Sequence, residues 1–440
     1  MKSLYFGRRF FLGITGVALL FVMGYFSAFL TPFAKMSLFS LVMVTGIDCL
    51  LLYRIPRGVF ARRETGERFS NGDENEVQMT LENFYRFPVQ VAIIDELPAQ
   101  FQIRNQKIQV ELQPGSTKTV TYTLKPLSRG VYSFGALNIF VSSRLALLSR
   151  RFKFDQNKDV AVYPSYIQMR KYELLAVSHN LTEAGIKKVR RVGHMLEFDR
   201  IREYVRGDDY RTINWKATAR KNDVMVNEYQ DEKSQQVYSI IDKGRVMKMP
   251  FAGMTLLDYA INASLVISNI VIRKQDKAGI VTFSHRLDSI LPADRKKSHM
   301  LKIMELLYNQ KTQYLESNFE LLHVTIKRKI RHRSLILLFT NFETLAAMKR
   351  QLPFLRGMAS LHLLVTVFFE NTELKNLLNK SAANTEEIYI KTIAEKFAYE
   401  KRQIVKELSR YGIHSILTTP SALSVNTINK YLELKARGMI

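Results

Sequence analysis

Apolar residues fall into three successive patterns along this chain: unbroken runs, then alternation, then short apolar strands between helical stretches. From Phe10 to Leu30 no residue is charged, and after Thr31-Pro32 a second apolar run extends from Met36 to Tyr53 with Asp48 as its only charge. At about 1.5 Å per helical residue, each run can cross a hydrocarbon layer of about 30 Å. The first run is too long for the apolar core of a signal peptide, lacks an A-x-A-like site and is followed at once by another span. The pattern therefore predicts a two-helix transmembrane hairpin over residues 10–53. Lys2, Arg8 and Arg9 precede it, Arg54, Arg57, Arg62 and Arg63 follow it, and the turn carries only Lys35. The positive-inside bias then places residues 1–9 and everything after the hairpin in the cytoplasm. Asp48 is close enough to Arg54 to reach toward the interface, and Cys49 beside it is expected to be an ordinary apolar packer.

From Val77 the period becomes two. Val77, Met79 and Leu81 alternate with polar neighbours, as do Val89, Val91 and Ile93, then Ile108, Val110 and Leu112, Val120, Tyr122 and Leu124, and Leu137, Ile139 and Val141. Asn71-Gly72, Pro114-Gly115 and Arg129-Gly130 read as turns between them. Short alternating strands with this punctuation predict an immunoglobulin-like β-sandwich over residues 66–165. It carries no chemical cluster and suits a spacer or docking module.

A third pattern fills residues 237–440. Continuous apolar strands are expected at Val237–Ile241, Gly279–Phe283, Ser334–Thr340, Leu361–Phe369 and Ile413–Leu417. Helical patterns occupy Leu256–Ile272, Arg295–Tyr308, Leu315–Arg328, Thr385–Tyr411 and Ser421–Ala436. Such alternation predicts an α/β domain, a mostly parallel, doubly wound sheet covered on both faces. Ligands of these folds sit at the carboxyl ends of the strands, which makes Asp242 and Thr340-Asn341 rim positions.

Composition narrows the classes. The 440 residues are too many for one compact domain, and 47% hydrophobic residues exclude a disordered chain. A single cysteine excludes a disulfide framework and multi-Cys metal sites. The excess of 65 Lys+Arg over 40 Asp+Glu, a net charge of +25, favours anionic partners without choosing among nucleic acid, lipid and protein. The basic run Lys327, Arg328, Lys329, Arg331 and Arg333 stands without a nucleic-acid module and abuts an apolar strand. A tether to an anionic leaflet accounts for the charge, so no specific nucleic acid is expected. Membrane-tethered nucleic-acid or anionic-lipid binding is the alternative reading.

Residues 166–236 form a charged segment between the two domains. Its core, Glu197 to Arg220, reads EFDRIREYVRGDDYRTINWKATAR, with 5 acids and 6 bases among 24 residues. Phe198, Ile201, Tyr204, Tyr210, Ile213 and the single Trp215 interleave with the charges. Mixed charge around aromatic residues suits a paired network or a recognition surface better than a free helix face. Candidate interaction residues are Arg202, Glu203, Asp208, Asp209, Arg211, Trp215, Arg220 and the rim residue Asp242. Asp208-Asp209 as adjacent carboxylates in one strand would point to opposite faces, His194-x-x-Glu197 is a weak metal pair, and no nucleotide loop, H-E-x-x-H or G-x-S-x-G motif occurs. No catalysis, cofactor or small-molecule substrate is expected.

The signature resembles that of the domain of unknown function 58 family. The matching residues are Glu197-Phe198, Arg202-Glu203-Tyr204, Gly207-Asp208-Asp209, Arg211, Ile213-Asn214-Trp215 and Thr218-Ala219-Arg220, with Glu228 and Glu232 before the strand ending at Asp242. Leu97-Pro98, Pro114-Gly115, Arg129-Gly130, Phe134-Gly135 and Val162-Tyr163-Pro164 extend the resemblance into the sandwich. It implies a membrane-anchored bacterial protein with a von Willebrand factor A-like domain. It also implies a non-enzymatic adaptor to a MoxR-type AAA+ ATPase in envelope-related assembly or stress processes, at the inner membrane. Magnesium-binding A-domains carry D-x-S-x-S after the first strand, whereas this chain reads Asp242-Lys243-Gly244-Arg245-Val246, with Asn341 where a second aspartate is expected. The resemblance therefore implies a degenerate metal position and no bound metal.

Overall fold

The computed structural model describes residues 3–27, 29–104, 106–177, 196–231, 234–371, 378 and 384–440. The chain divides into two units, residues 1–163 and 164–440.

The first unit holds two long helices and the β-rich part. Strand β1 (Leu4–Phe6) precedes helix α1 (Arg8–Phe26), and α2 (Leu30–Tyr53) packs against α1. Both helices are long and apolar enough to cross a membrane, and their large side chains face outward, Tyr25 and Phe26 at 87% and 83% exposure. Ten strands follow: β2 (Val59–Thr65), β3 (Arg68–Ser70), β4 (Asn75–Asn83), β5 (Val89–Asp95), β6 (Ile108–Leu112), β7 (Thr117–Leu124), β8 (Gly130–Phe134), β9 (Leu137–Ser142), β10 (Leu148–Phe154) and β11 (Lys158–Tyr163). They form sheets ordered β1-β10-β9-β5-β6, β2-β4-β7 and β3-β11-β8. Val59, Ala61, Met79 and Leu81 from one sheet meet Val89, Val91, Ile139 and Val141 from another in one buried core, so the period-two positions are the inward face of a sandwich. Each such aliphatic side chain contributes about 1.5–3 kcal/mol when buried.

Two features lie outside the boundaries expected at 9 and 66. The segment before α1 pairs with β10, Leu4 opposite Arg150 and Phe6 opposite Leu148, and β2 pairs along its whole length with β4. The helices are also fastened at their base. Asp48 does not reach out to an interface: it is fully buried and accepts hydrogen bonds from Ser143 Oγ (2.5 Å) and Leu148 N (2.9 Å). Arg150 donates to the carbonyls of Leu52 (2.7 Å) and Ile55 (2.8 Å), and Tyr85 Oη donates to Leu52 O at 2.7 Å. The Tyr85 ring lies directly on Gly58, where a Cβ would meet it at 2.1 Å. Cys49 packs at the edge of the same core.

The second unit opens with α3 (Tyr166–Val177), in the segment expected as a linker; Tyr172 is buried in the unit's core. A hairpin follows, β12 (Leu196–Glu203) and β13 (Met225–Asp231), with α4 (Trp215–Lys221) between its arms. Next come β14 (Gln236–Asp242), the short pair β15 (Pro250–Phe251) and β16 (Met254–Thr255), α5 (Leu256–Arg273), β17 (Lys277–Phe283), β18 (Leu287–Asp294), α6 (His299–Tyr308), α7 (Phe319–Lys329), β19 (Leu335–Phe339), α8 (Leu345–Leu361), β20 (Leu363–Phe369), α9 (Thr385–Arg410), β21 (His414–Thr418) and α10 (Leu423–Ala436). The sheet order is β18-β17-β14-β19-β20-β21, all neighbours parallel except β18 at the edge. Successive residues of β14 enter opposite cores: Val237 and Ile241 pack with α5 and α10, Tyr238 and Ile240 with α7, α8 and the carboxyl half of α9. Burial on both faces is why these strands read as continuous apolar runs. Helix α5 is also apolar enough to span a membrane, yet 89% of that stretch is buried inside the protein.

Strand β18 and helix α8 have no counterpart among the expected elements. The first is half-exposed throughout and mixes polar with apolar residues; the second contains Pro353, which reads locally as a helix break. Helices α6 and α7 begin about one turn later than their apolar patterns, α7 because Asn318 caps it by accepting from Leu321 N at 2.9 Å.

Candidate functional site

The carboxyl ends of β14, β19 and β20 form a rim built around Asp242. Its buried carboxylate accepts from Gly244 N (2.8 Å), Thr340 Oγ1 (2.7 Å) and Ser317 Oγ. Burial pushes its pKa up, against the opposing pull of Ser317, Thr340 and the Gly244 amide. Beside it Lys243 Nζ pairs with Asp288 at 3.0 Å. Gly244 leaves room for the Ser317 hydroxyl, because a Cβ there would sit 2.1 Å from Ser317 Oγ and turn it away from Asp242. Asn341 offers its Oδ1 to the Lys401 ammonium (2.6 Å), which also donates to Phe342 O at 2.5 Å. Burial lowers the Lys401 pKa to about 8. A cleft of about 560 Å³ opens next to this amine, lined by Met249, Phe251, Leu256, Phe369 and Phe397.

These residues do not fit Mg²⁺, which requires about six hard oxygen ligands. Asp242 is the one carboxylate in this knot and its oxygens accept from three donors, positions 244 and 246 bring no side-chain oxygen, the oxygen of Asn341 is held by a cation, and Glu316 and Glu343, which line the same cleft, make no bond to the knot. Among the described residues no group of three His, Cys, Asp or Glu side chains is arranged to hold a metal. His194 lies outside the described residues.

The signature forms the β12–β13 hairpin, whose register places Glu203 opposite Met225. Asp208 and Asp209 lie in the loop after β12, not in a strand as their adjacency suggested. Asp208 receives a bidentate fork from Arg202 (2.7 and 2.8 Å) and the Val205 amide (2.9 Å). These bonds, the Arg202 fork first, hold its carboxyl below the ordinary range. Arg200 bonds Glu228 at 2.6 Å and lowers that carboxyl as well. Glu203 meets Lys221 at 3.5 Å. Asp209 Oδ1 accepts from Arg211 N at 3.0 Å, which starts a short turn, and Asn214 caps α4 through Ala217 N at 3.1 Å.

Arg202 and Asp208 therefore brace the loop and Asp209 shapes it, while Glu203 meets Lys221 only on the exposed surface. Arg211, Trp215 and Arg220 point outward. Trp215 is 71% exposed and Tyr210 70%, with the Arg211 guanidinium 5.7 Å from the Tyr210 ring centre. Asp242 belongs to a different place; its three hydrogen bonds all go to rim residues. Sequence reasoning overlooked Ser317 and Lys401. Ser317 carries no local signal, but Lys401 interrupts the apolar stripe Phe397, Ile404 and Leu408 of α9 at i, i+4, i+7 and i+11 spacing, a visible sign of a buried amine.

Residues 200–393 match the family Protein of unknown function DUF58. Over 223 residues the chain is 23% identical to the "Uncharacterized protein YeaD" of Bacillus subtilis (strain 168). That alignment covers 49% of this chain and 54% of the relative, so the chain spans about half the length of the curated protein it matches. Among solved structures, the ASH / PapD-like domain of human CEP192 is 15% identical, covering 24% of this chain and 87% of that one, at a TM-score of 0.20. The CARDB domain of PF1109 from Pyrococcus furiosus, in its solution structure, is 15% identical over 24% of this chain and 94% of its own, at a TM-score of 0.17.

Proposed function

We propose that this chain is a non-enzymatic, membrane-anchored adaptor that presents the β12–β13 hairpin to a protein partner. The partner is a MoxR-type AAA+ ATPase, and the setting is envelope-related assembly or stress at a bacterial inner membrane. In this reading α1 and α2 cross the bilayer, both termini are cytoplasmic, the sandwich is immunoglobulin-like, and the α/β unit is a von Willebrand A-like domain with a degenerate metal position. One observation carries it: exposed Tyr210, Arg211 and, at the start of α4, Trp215 stand on the β12–β13 connection, whose first turn is held in shape by the Arg202–Asp208 fork. Aromatic and arginine side chains dominate interface hot spots, and a braced loop loses less conformational entropy on binding.

The test is capture of purified MoxR-type ATPase by the full chain in detergent, with Trp215→Ala and Arg211→Ala beside the wild type. Capture at micromolar concentration, lost in both variants at unchanged melting temperature, supports the adaptor reading. No capture by the wild type refutes it. Reporter fusions at residues 1 and 440 should both report cytoplasm, and a periplasmic signal from either overturns the topology.

A further inference from the structure

The bonds that fasten α2 also fix what surrounds the helix ends. Asp48 grips the β9–β10 turn through Ser143 and Leu148, and Arg9 at the start of α1 donates to the carbonyls of Arg144 (2.9 Å) and Leu145 (3.2 Å) in that turn. The turn is thus held level with the start of α1. Five arginines collect at this base: Arg8 and Arg9 on α1, Arg54 and Arg57 just after α2, and Arg144 in the turn. All five are exposed, and among the described residues none has a carboxylate within ion-pair distance. Leu145 is 41% exposed in the turn, and Phe84 is 52% exposed where its amide bonds Gly58 O at 2.9 Å.

We propose that this arginine collar binds the phosphate of anionic phospholipid headgroups. The inference rests on α1 and α2 spanning the bilayer, because only then do the collar residues lie at headgroup depth. Guanidinium forks match phosphate oxygens bidentately, and exposed Phe and Leu beside them can enter the boundary between headgroups and acyl chains. Arg144 comes from the sandwich, more than 130 positions from Arg8, and is brought to the collar by the Asp48 and Arg9 contacts together with the pairing of β1 and β10.

The full chain is reconstituted in phosphatidylcholine vesicles, and spin-labelled phosphatidylglycerol is compared with spin-labelled phosphatidylcholine for occupancy of the lipid shell around the protein. A preference of about fivefold for phosphatidylglycerol is expected, since one basic residue near an anionic headgroup is worth about 1 kcal/mol. It should fall as salt rises. It should approach unity when Arg8, Arg54, Arg57 and Arg144 are all changed to Gln, and persist in Lys125→Gln at the far end of β7. No preference in the wild type, or one that survives the four changes, overturns the proposal. Sodium carbonate washing separates the premise from the inference: release from the vesicles refutes the spanning helices, whereas retention without lipid preference refutes the collar alone.

Discussion

Replacing Asp242 tests whether the rim is a hydrogen-bonded knot or a cation site. Asp242→Ala removes the acceptor of three buried donors, the Gly244 amide and the hydroxyls of Ser317 and Thr340. A buried donor left unpaired costs about 1–3 kcal/mol. The amide cannot turn away, whereas the two hydroxyls can rotate and recover part of the loss, so about 2–4 kcal/mol is expected. Each kcal/mol lowers the melting midpoint of a unit this size by about 2–4 °C, which predicts a fall of roughly 4–16 °C. Asp242→Asn keeps the shape and one acceptor and sheds the buried charge, so it should stay within about 1 kcal/mol of the wild type. Because burial raises the Asp242 pKa in the folded state, the wild type takes up a proton on the native side first. Its stability relative to Asn should therefore increase as pH falls through the folded pKa toward the lower unfolded value, and be lost as pH rises back through the folded pKa. The assay is thermal proteolysis of the full chain in detergent, following peptides of the α/β unit by mass spectrometry, with and without millimolar Mg²⁺. Equal losses in Ala and Asn would show that the charge itself is needed. A midpoint raised by Mg²⁺ in the wild type and unmoved in Asp242→Ala would show an occupied metal site, since a ligand of the native state stabilises by mass action. Either result refutes the reasoning.

Two further outcomes follow from buried charges elsewhere. In the sandwich, Asp95 pairs with Arg63, both side chains 3% exposed or less, and accepts from Tyr122 Oη at 2.5 Å; Asp95→Ala should lose about 3–5 kcal/mol in urea unfolding of the full chain, because it leaves a guanidinium buried without its partner, and a loss below 1 kcal/mol would contradict this. At the rim, the Lys401 amine, lowered to about 8 against an ordinary value of 10.5, binds its proton more readily in the unfolded chain, so stability should rise between pH 8 and pH 10; that rise should shrink in Lys401→Met, and identical pH profiles would count against a buried amine.

The sequence by itself determined the order of element types. Period-two alternation in β4 and β5, unbroken apolar strands such as Leu335–Phe339, and the outward-facing apolar runs of α1 and α2 are local patterns. They are legible because side-chain direction repeats along each backbone type. The rim residue Asp242 was legible too, from its place at the end of a buried strand. Only the tertiary structure decided which residues meet. Ser317 and Thr340 reach Asp242 from 75 and 98 positions away, Lys401 reaches Asn341 across 60, and Ser143 reaches Asp48 across 95. The signature shows the same division. Its charges and aromatics are plain in the sequence, but only the antiparallel register and the turn at Asp209 send Arg202 inward to Asp208 and leave Trp215 in solvent. Such pairings depend on strand order and loop paths, which no local periodicity encodes; they exist only once the sheets have closed around their cores.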